Sequence, residues 1–554
     1  MAYTAHIDTF AHDNLPPKRQ WPAFIFELPE LKYPARMNCA AELLDRMVAG
    51  GNADRPVIHT LIDGRKYVCT YRQLLTRANQ IAHVIQNDLK LVPGTRVLLR
   101  GPNNPEMAAC WFAVIKAGCI AVATMPLLRA KELKQIIDKA RVSAALCDVR
   151  LAEDMELAKS QCADMKQVLY FNSGRRGSLE DLLEFHPAEF RSVDTALDDV
   201  ALIAFTSGTT GQPKGTMHFH RDVMAMTDCW PRSCLKPHRN DIFCGTPPIA
   251  FTFGLGGILC FPMRFGASTV LIERLTPDTL LQTIQDFKAT VCFTAPTFYR
   301  QMAGLAKNYR LGSLKKCVSA GEALPDATRQ LFKQASGIEI IDGLGATEMI
   351  HIFVSHTVES VRRGATGYAI PGYKATVLDE SGKPCPPGVV GRLAVKGPTG
   401  CRYLADDRQK NYVENGWNVT GDAYKMDEDS YFYYQARTDD MIISAGYNIA
   451  GPEVESCLLE HEAVSECGVV GIADEERGQI VKAFVTVKPG YIANEEMVRA
   501  LQDYVKAKIA PYKYPRKIEF VSSLPRTETG KLQRFKLRQR VANAGRSVLP
   551  GKCG

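Results

Sequence analysis

The chain has 554 residues, 46% of them hydrophobic, and a formal net charge of +8. That length exceeds one ordinary core and implies two or more domains, while the apolar content excludes global disorder. The positive charge is scattered, with a mild excess near the end (Lys531, Arg534, Lys536, Arg538, Arg540, Arg546 and Lys552); without a nucleic-acid motif beside it, this reads as a solvated basic surface.

In chain order, the N-terminal segment carries Asp8 and Asp13 and no apolar run of the kind a signal peptide needs. Thr95 to Arg100 reads as a strand. Asn104 is suited to cap a helix with Pro105 at its first position and Glu106 in its first turn, and Gly118 suits its end. Cys119 to Ala123 is the next strand, which makes a strand–helix–strand unit. Lys116 and Gly118 interrupt the longest apolar stretch, Met107 to Met125, so a helix and a strand are expected there, not a membrane span. Similar apolar strands follow at Ala144 to Cys147, Val168 to Phe171, Val200 to Phe205, Thr269 to Ile272, Val291 to Thr294 and Glu339 to Ile341. Helix-flanked parallel sheets are the expected outcome.

After about Gly364 the texture changes to short strands between Gly/Pro turns: Lys374 to Leu378, Gly391 to Val395 and Tyr431 to Gln435. This predicts a small β-barrel-like subdomain. Glu453 to Leu459 then reads as helix, Val464 to Ile472 as a strand paired with Val481 to Val487, and Met497 to Lys508 as helix. The predicted class is α/β multidomain: a large N-terminal domain, 1–438, and a small, mobile α+β C-terminal domain, 439–554, with the boundary at Asp439. The 17 cysteines contain no C-x-x-C and sit mostly in apolar runs, the usage expected of reduced, buried thiols in a soluble cytoplasmic protein.

Five segments carry candidate chemistry. In Thr206-Ser207-Gly208-Thr209-Thr210-Gly211-Gln212-Pro213-Lys214-Gly215, four hydroxyls, three glycines and one lysine follow a buried strand. Glycines admit close backbone approach, consecutive N–H groups form an anion-binding concavity, and the hydroxyls and lysine add donors for phosphate oxygens. It is not a Walker loop, because Lys214 precedes Gly215 and not Ser or Thr. The second segment is Asp342-Gly343-Leu344-Gly345-Ala346-Thr347-Glu348, a glycine-rich turn whose carboxylate and hydroxyl suit Mg²⁺ and phosphate. The third is Thr420-Gly421-Asp422, the fourth Arg437-Thr438-Asp439-Asp440 continuing to Gly446, and the fifth a loop, Pro525 to Leu532, that presents Lys531. His218-Phe219-His220 has no third ligand at suitable spacing and reads as structural imidazoles.

In order and spacing these five segments resemble the acyl-adenylate-forming enzymes: acyl- and aryl-CoA ligases, luciferases and nonribosomal adenylation domains. The resemblance implies that ATP and a carboxylate form acyl-AMP and pyrophosphate, after which the small domain rotates and a thiol attacks the adenylate. Carried onto this sequence, it places Thr206, Ser207, Gly208, Thr209, Thr210 and Lys214 on the β- and γ-phosphates, Thr347 on the α-phosphate and Glu348 on Mg²⁺. Gly321, Glu322, Ala323 and Asp342 line the adenine, and Asp422 binds both ribose hydroxyls with Arg437 nearby. Asp439 is the hinge, Lys531 meets the carboxylate and the α-phosphate, and Gly446 lines the pantetheine tunnel of coenzyme A.

The segments Ile249 to Gly256 and Asp342 to Phe353 are most similar to the benzoate and 2-aminobenzoate CoA ligases. Matched positions imply that Thr252, Phe253, Ala320, Gly345, His351 and Ile352 line the acid, with Phe253 and Ile352 as flat walls and Gly345 as a thin floor. A hydroxyl at Thr252 suits a ring amino group, which favours 2-aminobenzoate over benzoate. The competing readings are transfer to a carrier protein, an adenylate-dependent oxygenase and a catalytically silent nucleotide-binding homologue. The last of these predicts loss of Glu348, Asp422 or Lys531, all of which are present. The partners implied are small molecules, with no nucleic acid and no membrane, acting on a monomer or homodimer.

Overall fold

The computed structural model describes residues 3–206, 213–437, 440–444, 447–474, 477–509, 511–526 and 531–546. A six-stranded sheet runs in the order Gln167–Phe171, Ala144–Asp148, Arg96–Arg100, Ile120–Thr124, Val200–Thr206, Lys214–Phe219. Its first five strands are parallel and the last turns back antiparallel, Thr206 facing Lys214. The strand–helix–strand unit that opens this sheet is capped as its residues dictate. The Asn104 side chain accepts from Met107 N at 2.9 Å, Pro105 begins the helix Pro105–Lys116, and Gly118 leaves it at φ +71°.

The second sheet has nine strands in the order Tyr368–Ala369, Ile352–Ser355, Ile340–Gly345, Lys316–Ala320, Val291–Thr294, Ile242–Gly245, Ser268–Val270, Pro56–Ile62, Arg65–Thr70. Its middle strands are parallel and its edges antiparallel. The strand expected to end at Ile341 runs on to Gly345, so Asp342 to Gly345 is not a turn: Gly343 pairs with Ser355 and Gly345 with Ile352. A third, antiparallel sheet holds Lys374–Leu378, Val390–Lys396, Trp417–Met426, Val413–Glu414 and Phe432–Arg437. One apolar cluster takes in Leu99 and Ala121 of the first sheet, Ile58, Phe293 and Ile341 of the second, and Val377 and Val395 of the third, so the three sheets share a core.

The C-terminal residues build their own core around Ile449, Val454, Val469, Val481, Val485 and Leu501. Val464–Asp474 and Gly478–Val487 pair antiparallel, Lys517–Phe520 adds in parallel, and the helices are Gly451–Leu459 and Glu495–Lys508. The cysteines of the described residues are free thiols, and among those residues no helix is long and apolar enough to cross a membrane.

Candidate active site

The hairpin of Val200–Thr206 and Lys214–Phe219 delivers Lys214 to the cleft. Lys214 Nζ donates to Tyr403 Oη at 3.0 Å and lies 3.6 Å from Glu348 Oε1, and the Tyr403 hydroxyl donates to the same Glu348 oxygen at 2.5 Å. Burial, then Glu348, pushes the Tyr403 phenol well above its ordinary range, so it stays a donor. Of the glycine-rich loop, Thr206 and Lys214 are described; Ser207, Gly208, Thr209 and Thr210 lie outside the described residues.

Glu348 sits in the 3₁₀ turn Thr347–Met349, which is fixed at both ends: His218 Nε2 donates to Thr347 O at 2.8 Å, and Thr399 Oγ1 donates to Met349 O at 2.9 Å. Since a carbonyl only accepts, His218 carries its proton on Nε2. His220 Nδ1 accepts from Cys39 N at 3.1 Å, so these two imidazoles face different partners. The next residue of the turn, Ile350, is buried at φ +64°, an uncommon conformation for a β-branched side chain that costs of order 1–3 kcal/mol. It is the bend that sends Glu348 and His351 to different parts of the site.

Asp422 and Arg437 are cross-strand partners, Arg437 Nη1 donating to Asp422 Oδ1 at 3.0 Å. Burial pushes the Asp422 carboxyl up against the pull of Arg437. Asp342 is buried, and its Oδ1 has no hydrogen-bond partner among the described residues. Burial pushes its carboxyl up to about 8. Gly321, Glu322 and Ala323 follow the strand Lys316–Ala320. A methyl placed on Gly321 would lie 3.5 Å from Lys531 Cε, which brings the C-terminal lysine to the N-terminal cleft. Leu532 N donates to Glu322 Oε1 at 3.0 Å and Arg526 Nη1 lies 3.5 Å from it. Desolvation lowers the Lys531 pKa, and the fields of Glu322 and Asp422 oppose it. The hinge candidate Asp439 and the tunnel candidate Gly446 lie outside the described residues.

Of the six predicted acid-wall residues, Phe253 and His351 belong to one aromatic cluster. His351 is buried, its Nε2 3.3 Å from Phe253 O and its ring 5.8 Å from Phe253, 4.5 Å from Phe261 and 5.9 Å from Trp230. Phe293 stands 5.7 Å from Phe253 and 6.0 Å from Trp230. Burial lowers the His351 pKa to about 3, which keeps the imidazole neutral, and its Nδ1 has no hydrogen-bond partner among the described residues. Gly256 is required for this packing, because a methyl there would come within 2.4 Å of His351 Cδ2. Thr252 is buried at the start of a one-turn helix, Ala320 ends its strand, and Ile352 follows His351. Gly345 is exposed at the end of its strand. A methyl there would meet His351 C and O at 2.9 Å and Ile352 N at 3.0 Å, so it would displace the backbone of the wall before it reached the acid.

Sequence reasoning missed Trp230, Phe261, Phe293 and Tyr403. The first three sit in apolar surroundings indistinguishable from core; Trp230 and Phe261 are singled out by their spacing to His351, and Phe293 by its spacing to Phe253 and Trp230.

Residues 46–403 match the AMP-binding enzyme family, and residues 453–531 match the AMP-binding enzyme C-terminal domain. The chain belongs to this family. It is similar to the benzoate–CoA ligase of Thauera aromatica, at 33% identity over 516 residues, 92% of this chain and 97% of that protein. Of solved structures, the anthranilate CoA ligase AuaEII in complex with anthranoyl-AMP matches with a TM-score of 0.89 and 32% identity over 94% of this chain and 100% of that one. A benzoate CoA ligase from Burkholderia xenovorans LB400 matches with a TM-score of 0.82 and 30% identity, over 91% and 100% of the two chains.

Proposed function

We propose that this AMP-forming acid–CoA ligase activates an aromatic carboxylate, 2-aminobenzoate ahead of benzoate, as aryl-AMP and passes it to the thiol of coenzyme A. The observation that carries the reading is the juxtaposition of an aromatic, neutral wall (Phe253, His351, Ile352) with a charged cleft (Lys214, Glu348, Asp422, Lys531) on the two sides of one turn, 345–352. A flat apolar acid rests on the first while its carboxylate reaches the second. The relatives named as benzoate and anthranilate ligases support the same acid class.

Two anions have to meet for the first half-reaction. Lys531 offsets their repulsion and the charge that builds on the α-phosphate, and Thr347 adds a donor to that phosphate. Lys214 holds the outer phosphates, Asp422 takes the ribose hydroxyls with Arg437 orienting its carboxylate, and Asp342 with Gly321 to Ala323 takes the adenine. Glu348 already spends Oε1 on Tyr403 and Lys214, so Oε2 would be the oxygen to hold a Mg²⁺. When bound, the metal supplies charge neutralisation on the phosphates. Positioning and electrostatics suffice, without a protein nucleophile. In this reading residues 1–438 bind ATP and acid, and residues 439–554 turn about Asp439 between the half-reactions and bring Gly446 to the pantetheine.

The test is pyrophosphate release from a panel of aromatic and aliphatic acids, with and without coenzyme A. Release confined to aromatic acids, with thioester formed on adding CoA, is expected; preference for an aliphatic acid would sink the aromatic reading.

A further inference from the structure

Tyr403 belongs to no sequence motif singled out for this reaction, yet it stands between two charged groups of the cleft. Its backbone is held on the phosphate hairpin: Tyr403 bridges to Thr216, Met217 N donates to Arg402 O at 2.8 Å, and Leu404 N donates to Gly215 O at 2.8 Å. Tyr403 N donates to Gln409 Oε1 at 2.9 Å, and its ring, 1% exposed, meets Tyr412 edge-on at 5.8 Å. The phenol therefore has little freedom to move.

Its hydroxyl is fixed in direction as well. A phenol has one proton, and a carboxylate can only accept, so the 2.5 Å contact spends that proton on Glu348 Oε1. The ammonium of Lys214 then donates to the phenol oxygen at 3.0 Å. This makes a directional chain, Lys214 to Tyr403 to Glu348, and both recorded contacts of the carboxylate fall on Oε1. The backbone of the Glu348 turn is pinned by His218 and Thr399, but those bonds leave the torsions of the Glu348 side chain undetermined. The Tyr403 hydroxyl is the contact that determines them.

We propose that Tyr403 is a positioning residue for adenylate formation: its hydroxyl clamps Glu348 Oε1, so that Oε2 is presented to the divalent cation, and keeps Lys214 within reach of the outer phosphates. This rests on the assignment of Glu348 to the cation made above. The alternative is a core tyrosine whose hydroxyl is merely satisfied, and the two differ in what loss of one oxygen atom does.

Tyr403→Phe keeps the ring and its packing. Tyr412→Phe is the control, because it removes a neighbouring buried hydroxyl that has no hydrogen-bond partner among the described residues. Two measurements are made on each full-length variant. The first is the affinity for Mn²⁺, by electron paramagnetic resonance titration in the presence of a non-hydrolysable ATP analogue. The second is the pair of half-reactions, pyrophosphate formation and thioester formation from supplied aryl-AMP. Tyr403→Phe is expected to weaken Mn²⁺ binding and slow pyrophosphate formation by about tenfold each, the scale of one hydrogen bond to a charged group. The KM for the acid and the thioester step should stay as in the wild type, and Tyr412→Phe should leave all of these unchanged. Unaltered Mn²⁺ affinity in Tyr403→Phe, or equal loss in both half-reactions, would overturn the proposal. The Mn²⁺ titration needs no acid, so it decides the role of Tyr403 even if the aromatic-acid reading fails.

Discussion

The two halves of the cleft are built by opposite means. On the nucleotide side charged groups meet charged partners: Lys214 with Glu348, Asp422 with Arg437, Arg526 with Glu322. On the side proposed for the acid the contacts are ring against ring, and two polar atoms buried there, His351 Nδ1 and Trp230 Nε1, have no hydrogen-bond partner among the described residues. The difference separates two tasks. Triphosphate chemistry is the same for every acid and needs charges held in fixed directions, which ion pairs provide. Selecting an acid needs shape, which apolar packing provides, and a polar atom left unpaired there is available to discriminate one ring substituent from another. Changes on the nucleotide side should therefore act on all acids alike, and changes on the acid side should act selectively.

Lys531→Ala tests the first half of that statement most severely. The lysine lies in the fields of Glu322, Asp422 and Glu348, and in the proposed function its charge faces the reacting carboxylate and α-phosphate. Its loss should slow adenylate formation by about 10²-fold or more, the scale of one preorganised donor, with every acid. The reaction of supplied aryl-AMP with CoA should be spared. Equal loss in the two half-reactions would reject the role.

The lysine arrives on a separately cored domain, so the contact that docks the domain should carry part of the same effect. Arg300, on the helix Pro296–Leu305, donates to Ser465 O at 3.0 Å, Val464 O at 3.2 Å and Leu459 O at 3.3 Å of the C-terminal domain. It touches no residue assigned to ATP or acid. Arg300→Ala should lower pyrophosphate formation by about tenfold, since hydrogen bonds from charged donors are worth about 1.5–3 kcal/mol each and water replaces part of them. Single-turnover assays should show the thioester step unchanged or faster. A variant as fast as wild type in adenylation would mean that the docking does not depend on this arginine.

How much of this could be read from the sequence follows the same division. The nucleotide side was legible because its residues sit in short contiguous motifs, Thr347-Glu348, Thr420-Gly421-Asp422 and the lysine loop, each with polar groups where a core would have none. The helix caps were legible for the same local reason, as Asn104 and Pro105 show. The acid side was half legible. Thr252, Phe253, His351 and Ile352 came through family resemblance, but Trp230, Phe261 and Phe293 come from distant elements, and an aromatic residue in an apolar run carries one signal for core and for pocket alike. The hairpin Pro56–Ile62 and Arg65–Thr70 was missed because its second strand is almost wholly exposed and shows no alternation. Asp342 to Gly345 was read as a turn because glycines usually mark one. Here they mark close approach in a strand, where a methyl on Gly343 would come within 2.5 Å of Ile352 Cδ1.

The buried imidazole of His351 offers a test of the acid side without any substrate. His351 has a folded pKa of about 3, below its ordinary 6.5. Above pH 6.5 both the folded and the unfolded chain hold it neutral, so it contributes nothing. As pH falls below 6.5 the unfolded state takes up a proton that the folded state refuses, and stability is lost. Between pH 7 and 5.5 this amounts to about 1 kcal/mol for one such group. Urea denaturation at the two pH values should show wild type losing about that much more than His351→Asn. Equal losses would mean that burial does not hold the His351 pKa down in the fold.

The smallest effect is the most informative about substrate. Thr252 is buried beside Phe253 at the foot of the acid wall, and its hydroxyl makes no hydrogen bond among the described residues. It is thus available to an ortho-amino group of the acid, whereas benzoate has nothing to offer it. Thr252→Ala removes the oxygen and one methyl while keeping the backbone of the turn. A neutral hydrogen bond contributes about 0.5–1.5 kcal/mol net, and the low end of that range gives about a threefold fall in kcat/KM for 2-aminobenzoate. For benzoate kcat/KM should hold or rise, because a hydroxyl that finds no partner costs desolvation in the wild type. The ratio of the two acids, measured with both enzymes, removes any general effect of the substitution on ATP use or domain rotation. If the ratio does not move, the hydroxyl does not read the ring, and benzoate becomes the better substrate assignment.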